Sequence, residues 1–369
     1  MSLINHSNDF TSYHFLQKKV GSAGFTLIET LIGTALFIVI SVSIYQGYLS
    51  VLNMVKLSTA KMMAANLANE QFEIIRNLPY NDVGIINGIP LGKIPYQQTL
   101  VRGGYTFTVT STIRNVDLPF DGTIGGNPND LSPADNKLVE LYITCAACYS
   151  FTPLTFTTHV APKNLETAST NGALFVQVFD ANGIPISGAS VHIESVFGTP
   201  AVDINDVTNQ NGMLQIVDII PGVNRYKITV SKSGYSTGTT YASTDLGGSI
   251  PVTPHATVVL QQVTQISFQI DRTGTIYVST VRDTCTPVAD VSFNLTGAKL
   301  IGTIPDVYKY TVDHQTDNNG VKTIEGVEWG TYTLTPKDVA HDLIGSSPLS
   351  PFTINPAAIQ NLQLVVAPQ

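Results

Sequence analysis

Gly24-Phe25-Thr26-Leu27-Ile28-Glu29, followed after Thr30 by LIGTALFIVISVSI over Leu31–Ile44, is the stretch on which the fold turns. Phe25 to Ile44 makes an apolar run of about 20 residues, enough to cross a bilayer as a helix. Its one charge is Glu29. A carboxylate near the end of a membrane helix is costly unless paired or held at the interface, which marks Glu29 as a candidate functional residue. Lys18 and Lys19 precede the run with no acid between, so the positive-inside tendency puts residues 1–24 in the cytoplasm and everything after Ile44 outside. Gly21, Ser22, Ala23 and Gly24 stand before the apolar run instead of after it, the reverse of a secretory signal. Beyond the run, Leu49, Leu52, Val55, Met62, Met63, Leu67, Phe72, Ile75 and Leu78 recur at spacings near three and four, with Lys56, Lys61, Asn66, Glu70 and Arg76 between them. The pattern is that of an amphipathic helix. No proline interrupts before Pro79, so one helix over Phe25–Asn77 is expected, roughly 80 Å long.

A glycine, then FTLIE, then an apolar helix resembles the type IV prepilin motif. The resemblance implies that a prepilin peptidase cuts after Gly24, that Phe25 becomes a methylated N-terminus, and that Glu29 pairs with the N-terminal amine of a neighbouring subunit. An amine cation and a carboxylate placed together in hydrocarbon relieve each other's desolvation. It also implies that the first half of the helix packs on other pilin subunits and the second half on its own sheet. A leader of 24 residues is long for the commonest subclass, which leaves open a start other than Met1 or a long-leader subclass. The alternative is a plain membrane anchor.

With 369 residues the chain is too long for one compact core, and two or more domains follow the anchor. Charged residues are 12% of the chain and the net charge is −8, so the outer part shows no basic footprint for nucleic acid. Cys145 and Cys148 form CAAC, with Cys285 alone. In an exported chain Cys145 and Cys148 are a possible disulfide. A zinc site would need a second pair, and Cys285 is expected as a buried small hydrophobe.

After Pro79 the texture changes. Gly84, Gly88, Pro90, Gly92 and Pro95 mark a loop. Tyr105–Thr110 alternates as a half-buried strand, and Leu138–Thr144 and Leu154–His159 supply two more. Between them DLPFDGTIGGNPNDLSPADNK, residues 117–137, holds Asp117, Asp121, Asp130 and Asp135. Calcium takes such oxygen donors on a glycine-bent loop; Asp and Asn are equally the usual turn formers, and the spacing is not an EF-hand. No cofactor is expected, and calcium is the one candidate behind the turn-former reading. The helix and short antiparallel sheet resemble the headgroup of minor pilins and pseudopilins. Pro162–Asn171 is a linker by composition.

An internal repeat follows. Residues 191–230 carry TNQNG at 208–212 and IIPG at 219–222, while 291–335 carry TDNNG at 316–320 and VEWG at 327–330; GIPISGASV (183–191) and CTPVADV (285–291) open the copies. Two copies of one domain are the economical reading. Gly188–Val191, Thr208–Gly212, Pro221, Gly222, Tyr226, Val230 and Gly234-Tyr235 resemble the carboxypeptidase regulatory-like domain, a transthyretin-like β-sandwich. The second copy is looser: Asp317, Gly320, Gly330 and Tyr332 match, Trp329 replaces the proline, and a longer insert precedes its turn. The family implies spacer or binding modules without catalysis.

No nucleophile elbow, zincin helix or P-loop is present. His314 is expected as a solvated turn histidine and Trp329 as a packed turn residue. The expectation is an α+β chain: leader (1–24), transmembrane and assembly helix (25–78) packed on a small antiparallel, pilin-like β headgroup (79–165), and two all-β sandwiches (172–262 and 263–369). Its function is expected to be that of a minor or tip pilin serving adhesion or assembly initiation, not an enzyme. The alternatives are a pseudopilin of a secretion or competence system and a permanently anchored surface protein that binds a ligand. Expected partners are prepilin peptidase, other pilin subunits, the membrane and an unidentified surface ligand. The expected location is the cytoplasmic membrane, single-pass with outer domains extracytoplasmic, and then an extracellular filament.

Overall fold

Apolar residues spaced at helical intervals, with no proline among them, propagate a single helix, α1, over Leu27–Arg76. The computed structural model describes residues 26–162, 169–337 and 340–368. The leader, Gly24 and Phe25 therefore lie outside the described residues, as do 163–168 of the linker. Two compact units divide the chain, Met1–Thr59 and Ala60–Gln369.

In the first unit α1 offers an apolar stretch long enough to cross a bilayer, none of it buried. Leu27 is 81% exposed and Phe37 71%. In the second unit, from Ala60 on, α1 buries Ala64, Leu67, Ala68, Phe72 and Ile75 in one core with Phe107, Val109, Ile113, Val139, Leu141 and Ile143. Those partners sit on an antiparallel sheet of β1 (Gln97–Arg102), β2 (Tyr105–Val116), β3 (Asn136–Thr144) and β4 (Leu154–Val160), in that order. The small residues Ala64 and Ala68 bring the helix close to the sheet, and polar contacts finish the seam. Gln98 Nε2 donates to Gln71 Oε1 at 2.8 Å, and Arg102 forks onto Glu70 through Nε at 2.9 Å and a terminal nitrogen at 2.5 Å.

The next strands are β5 (Gly172–Phe179), β6 (Ser190–Ser195), β7 (Asp203–Val207), β8 (Met213–Ile219), β9 (Gly222–Ser231), β10 (Gly238–Thr239), β11 (Ile250–Pro251), β12 (Ala256–Val258) and β13 (Val263–Gln269). One sheet runs β13-β5-β8 and the other β10-β9-β6-β7, with β12 on β9. Leu174, Val176, Val191, Ile193, Ile216, Tyr226 and Ile228 fill the layer between. Here the expected boundary at 262 is corrected. β13 pairs in parallel with β5, and Phe268 and Ile270 are buried in this same core, so the module closes only after Ile270.

The last strands are β14 (Gly274–Val281), β15 (Ser292–Gly297), β16 (Leu300–Thr303), β17 (Val307–Tyr308), β18 (Thr311–Gln315), β19 (Val321–Val327), β20 (Gly330–Pro336), β21 (His341–Ser347), β22 (Phe352–Ile354) and β23 (Ile359–Pro368). Sheets β19-β14-β23-β21 and β18-β15-β20-β22 enclose Ile276, Val278, Phe293, Leu295, Tyr332 and Leu364. The last strand again runs parallel to the first, β23 on β14, so the repeat in sequence is a repeat in topology.

Side-chain chemistry explains why the repeated residues recur. Asn209 Oδ1 accepts the amides of Asn211 and Met213, and Asp317 Oδ1 those of Asn319 and Val321. The turns then close on Gly212 (φ 67°) and Gly320 (φ 70°), a backbone region glycine enters without penalty. Tyr226 and Tyr332 donate their hydroxyls back to the carbonyls of Ile220 and Glu328 at 2.6 and 2.7 Å. The longer insert of the second copy is the hairpin β16–β17, and β16 pairs antiparallel with β11 of the first copy.

Candidate functional site

Two places hold acidic residues singled out above, the start of α1 and the 117–135 loop; a third, the seam between the head sheet and the first sandwich, emerges only in the fold. At the start of α1, the Thr26 amide and hydroxyl both donate to Glu29 Oε2, at 2.9 and 2.8 Å, and the Glu29 amide donates to Thr26 Oγ1 at 3.3 Å. This is a capping box, readable from Thr-x-x-Glu yet missed by a reading that saw only a charge in an apolar run. Two amides that the first helical turn leaves unpaired are satisfied without a partner chain. Both bonds to the carboxylate fall on Oε2, and Oε1 stands outside the box.

In the loop between β2 and β3, Asp121, Asp130 and Asp135 each bring an oxygen within 4.8 Å of the others. Asp117 does not join that group, which corrects the four-residue expectation: its Oδ2 accepts the Ile124 amide at 2.9 Å. Its Oδ1 is buried without a hydrogen-bond partner. Burial holds the Asp117 carboxyl above the usual carboxylate range; the Ile124 amide opposes this, and the charges of Asp130, Asp135 and Asp121 add to it. Asp130 is 8% exposed; its Oδ1 accepts the Ser132 amide at 2.7 Å and its Oδ2 is buried with no partner. Asp135 accepts the Leu118 amide. Ile124, at the tip of the loop, packs with Ala173, Val217, Phe175 and Val263 of the first sandwich.

That packing belongs to a wider seam that composition alone, a polar linker, did not foretell. Arg114 of β2 donates through Nε and a terminal nitrogen to both oxygens of Asp206 on β7. Asn115 Nδ2 donates to the Val217 carbonyl at 3.4 Å, and Ile89 is buried in the first sandwich's core. On the head itself, Lys137 Nζ is buried and donates to the carbonyls of Tyr80 and Val83 at 2.8 and 2.6 Å. Burial pushes its ammonium down to about 8, against the pull of Asp218 and Asp82. The post-helix turn is thereby clasped to β3.

Cys145 and Cys148 are joined as a disulfide. Cys285 is exposed, not buried, because the Arg282 to Thr286 turn places it at a tip with φ 62°. His314 lies on β18 instead of in a turn. It stacks on Tyr310, and its Nε2 is 2.9 Å from the Tyr310 hydroxyl; burial holds its pKa down. Lys299 Nζ covers one face of Trp329 at 3.1 Å, while Glu328 pairs with Lys299 and Lys309 at 2.8 and 2.7 Å.

No protein-family model matches the chain, and no curated protein matches it. Among solved structures it is similar to the Bacillus anthracis TIE protein at 14% identity and TM-score 0.23, over 74% of this chain and 56% of that one. It is similar to a streptococcal ancillary pilin at 12% identity and TM-score 0.26, over 63% and 76%. A third is GBS52, the minor pilin of the Gram-positive pathogen Streptococcus agalactiae, at 16% identity and TM-score 0.26, over 54% and 97%. The chain thus spans little more than half of the TIE protein. At these TM-scores the likenesses carry no conclusion about this chain.

Proposed function

We propose that this chain is a type IV pilin-like filament subunit, cut after Gly24 by a prepilin peptidase, methylated at Phe25, and held in the cytoplasmic membrane by its apolar helix before assembly. The observation that supports this most is the division of α1. Its apolar first part is wholly unburied, while from Ala60 on it buries one face against the chain's own sheet. An apolar surface of that length needs lipid or other apolar helices around it, and a filament core of like helices provides them. Glu29 then meets the N-terminal amine of a neighbouring subunit through Oε1.

Two carboxypeptidase regulatory-like sandwiches standing beyond a small head make a bulky subunit. Such a subunit is hard to repeat along a thin filament, so the role is minor or tip, in adhesion or assembly initiation. A pseudopilin of a secretion or competence system uses the same machinery. One observation favours a second reading, a permanent anchor displaying ligand-binding modules: Thr26 already satisfies Glu29 locally.

Glu29→Gln separates them, because an amide oxygen keeps the capping box while the charge is lost. In the filament reading, protein from cells begins at Phe25, and both Glu29→Gln and Glu29→Ala are cleaved yet absent from sheared filaments. Retention of Met1 in the mature chain refutes processing. Normal recovery of Glu29→Gln with loss of Glu29→Ala shows that the residue is a cap and refutes the pairing role.

A further inference from the structure

We propose that the 117–135 loop binds one calcium ion through Asp121, Asp130 and Asp135. Two oxygens bound to one Ca²⁺ at 2.3–2.6 Å can stand no more than about 5 Å apart, and the three carboxylates meet that limit with an oxygen each inside 4.8 Å. Convergence of acids alone would be a weak argument. The second observation is Asp130, a residue more than nine-tenths buried, whose Oδ1 accepts the Ser132 amide while its buried Oδ2 has no hydrogen-bond partner. A carboxylate oxygen closed off from water needs a cation or a donor. Among the described residues no lysine, arginine or histidine forms an ion pair with Asp121 or Asp130.

The donor set names the ion. It is all oxygen, with no imidazole or thiolate, on an irregular loop bent at Gly122 (φ 129°) and Gly125 (φ 74°). Hard cations take such donors, and Ca²⁺ accepts irregular geometry where Mg²⁺ demands a tight octahedron near 2.1 Å. Loop carbonyls and water complete the coordination. The consequence lies in Ile124, between Asp121 and Asp130 in the chain, which is packed into the first sandwich. The ion cross-links the two limbs of the loop behind that contact, so calcium tightens the seam between head and sandwich.

The test uses the full chain, purified in detergent and stripped with EGTA, titrated with CaCl2 by calorimetry and melted with and without about 5 mM CaCl2. Expected are one equivalent of Ca²⁺ with a dissociation constant at or below the roughly 10⁻⁴–10⁻³ M of extracellular modules, and a higher melting midpoint. Asp130→Asn should abolish both effects. Asp121→Asn, at an exposed position that does not endanger folding, should weaken binding at least about ten-fold. No saturable binding by wild type, or unchanged affinity in Asp121→Asn, overturns the site; an equal response to MgCl2 overturns calcium as the ion. The proposal does not depend on the filament reading, since binding is read on the isolated chain and filament recovery in cells.

Discussion

Replacing Arg114 by Met should loosen the seam between head and first sandwich by about 3 kcal/mol. The side chain of Asp206 is 3% exposed and that of Arg114 25%, so the variant strands a carboxylate in a place water hardly reaches. Removing one partner of a buried pair costs about 3–5 kcal/mol. Two features put this case at the low end: Asp206 keeps the Val207 amide at 2.7 Å, and the partly exposed arginine end admits some solvent. Met preserves the aliphatic volume, so a cavity is not the cause. Nor is Arg114 close to losing its own charge. Burial works to lower its pKa, but the bonds and charge of Asp206, with Glu140 behind, raise it overall. The assay is a double-mutant cycle in urea with Arg114→Met, Asp206→Leu and the pair. Because a chain of several modules need not unfold in one step, the first transition is followed together with proteolysis at the 117–135 loop. The double variant should return to within about 1 kcal/mol of wild type, since an apolar pair of similar volume is often neutral. A single Arg114→Met variant within about 0.5 kcal/mol of wild type, with no added proteolysis, refutes the reasoning.

Tyr226→Phe removes the bond to the Ile220 carbonyl and should cost about 1 kcal/mol. Burial pushes the Tyr226 phenol up to about 12, while an unfolded tyrosine ionises near 10. Its contribution is therefore full below pH ~10 and lost as pH rises through about 12; the variant's stability should fall less steeply across that window, and parallel curves would contradict the assignment. Cys148→Ser opens a loop closed over a sequence separation of three residues. Loop-closure entropy puts the cost at about 2 kcal/mol, read as a lower denaturation midpoint that wild type reproduces under reductant. An unshifted midpoint in both would show that the bridge closes nothing the fold does not already hold.

What was legible in the sequence was local. The helix announced itself because spacing and the absence of proline act residue by residue, and Pro79 ended it. The repeat was readable for a similar reason: TNQNG and TDNNG close their own turns through Asn209 and Asp317. The capping box is local too, spelled by Thr26 and Glu29 three residues apart, although a lone charge in an apolar run is the more conspicuous feature of that carboxylate. What escaped for physical reasons was long-range. Arg114 and Asp206 stand 92 residues apart, and no pattern marks either. VTQISFQ over Val263–Gln269 alternates like any half-buried strand, and only its parallel pairing with Gly172–Phe179 assigns it to the first module. Composition showed an acid-rich loop, but which carboxylates converge depends on where Ile124 anchors it.

The β16–β17 hairpin has a consequence for how such a chain can change. It exists in one copy of a duplicated domain and finds its edge on β11 of the other. The copies have therefore ceased to be interchangeable. Exchanging their order would leave the hairpin with a bare edge and β11 without its neighbour, and adding a third copy would help only if it carried the matching half. The β11–β16 pairing makes the two modules a matched pair and not two exchangeable copies.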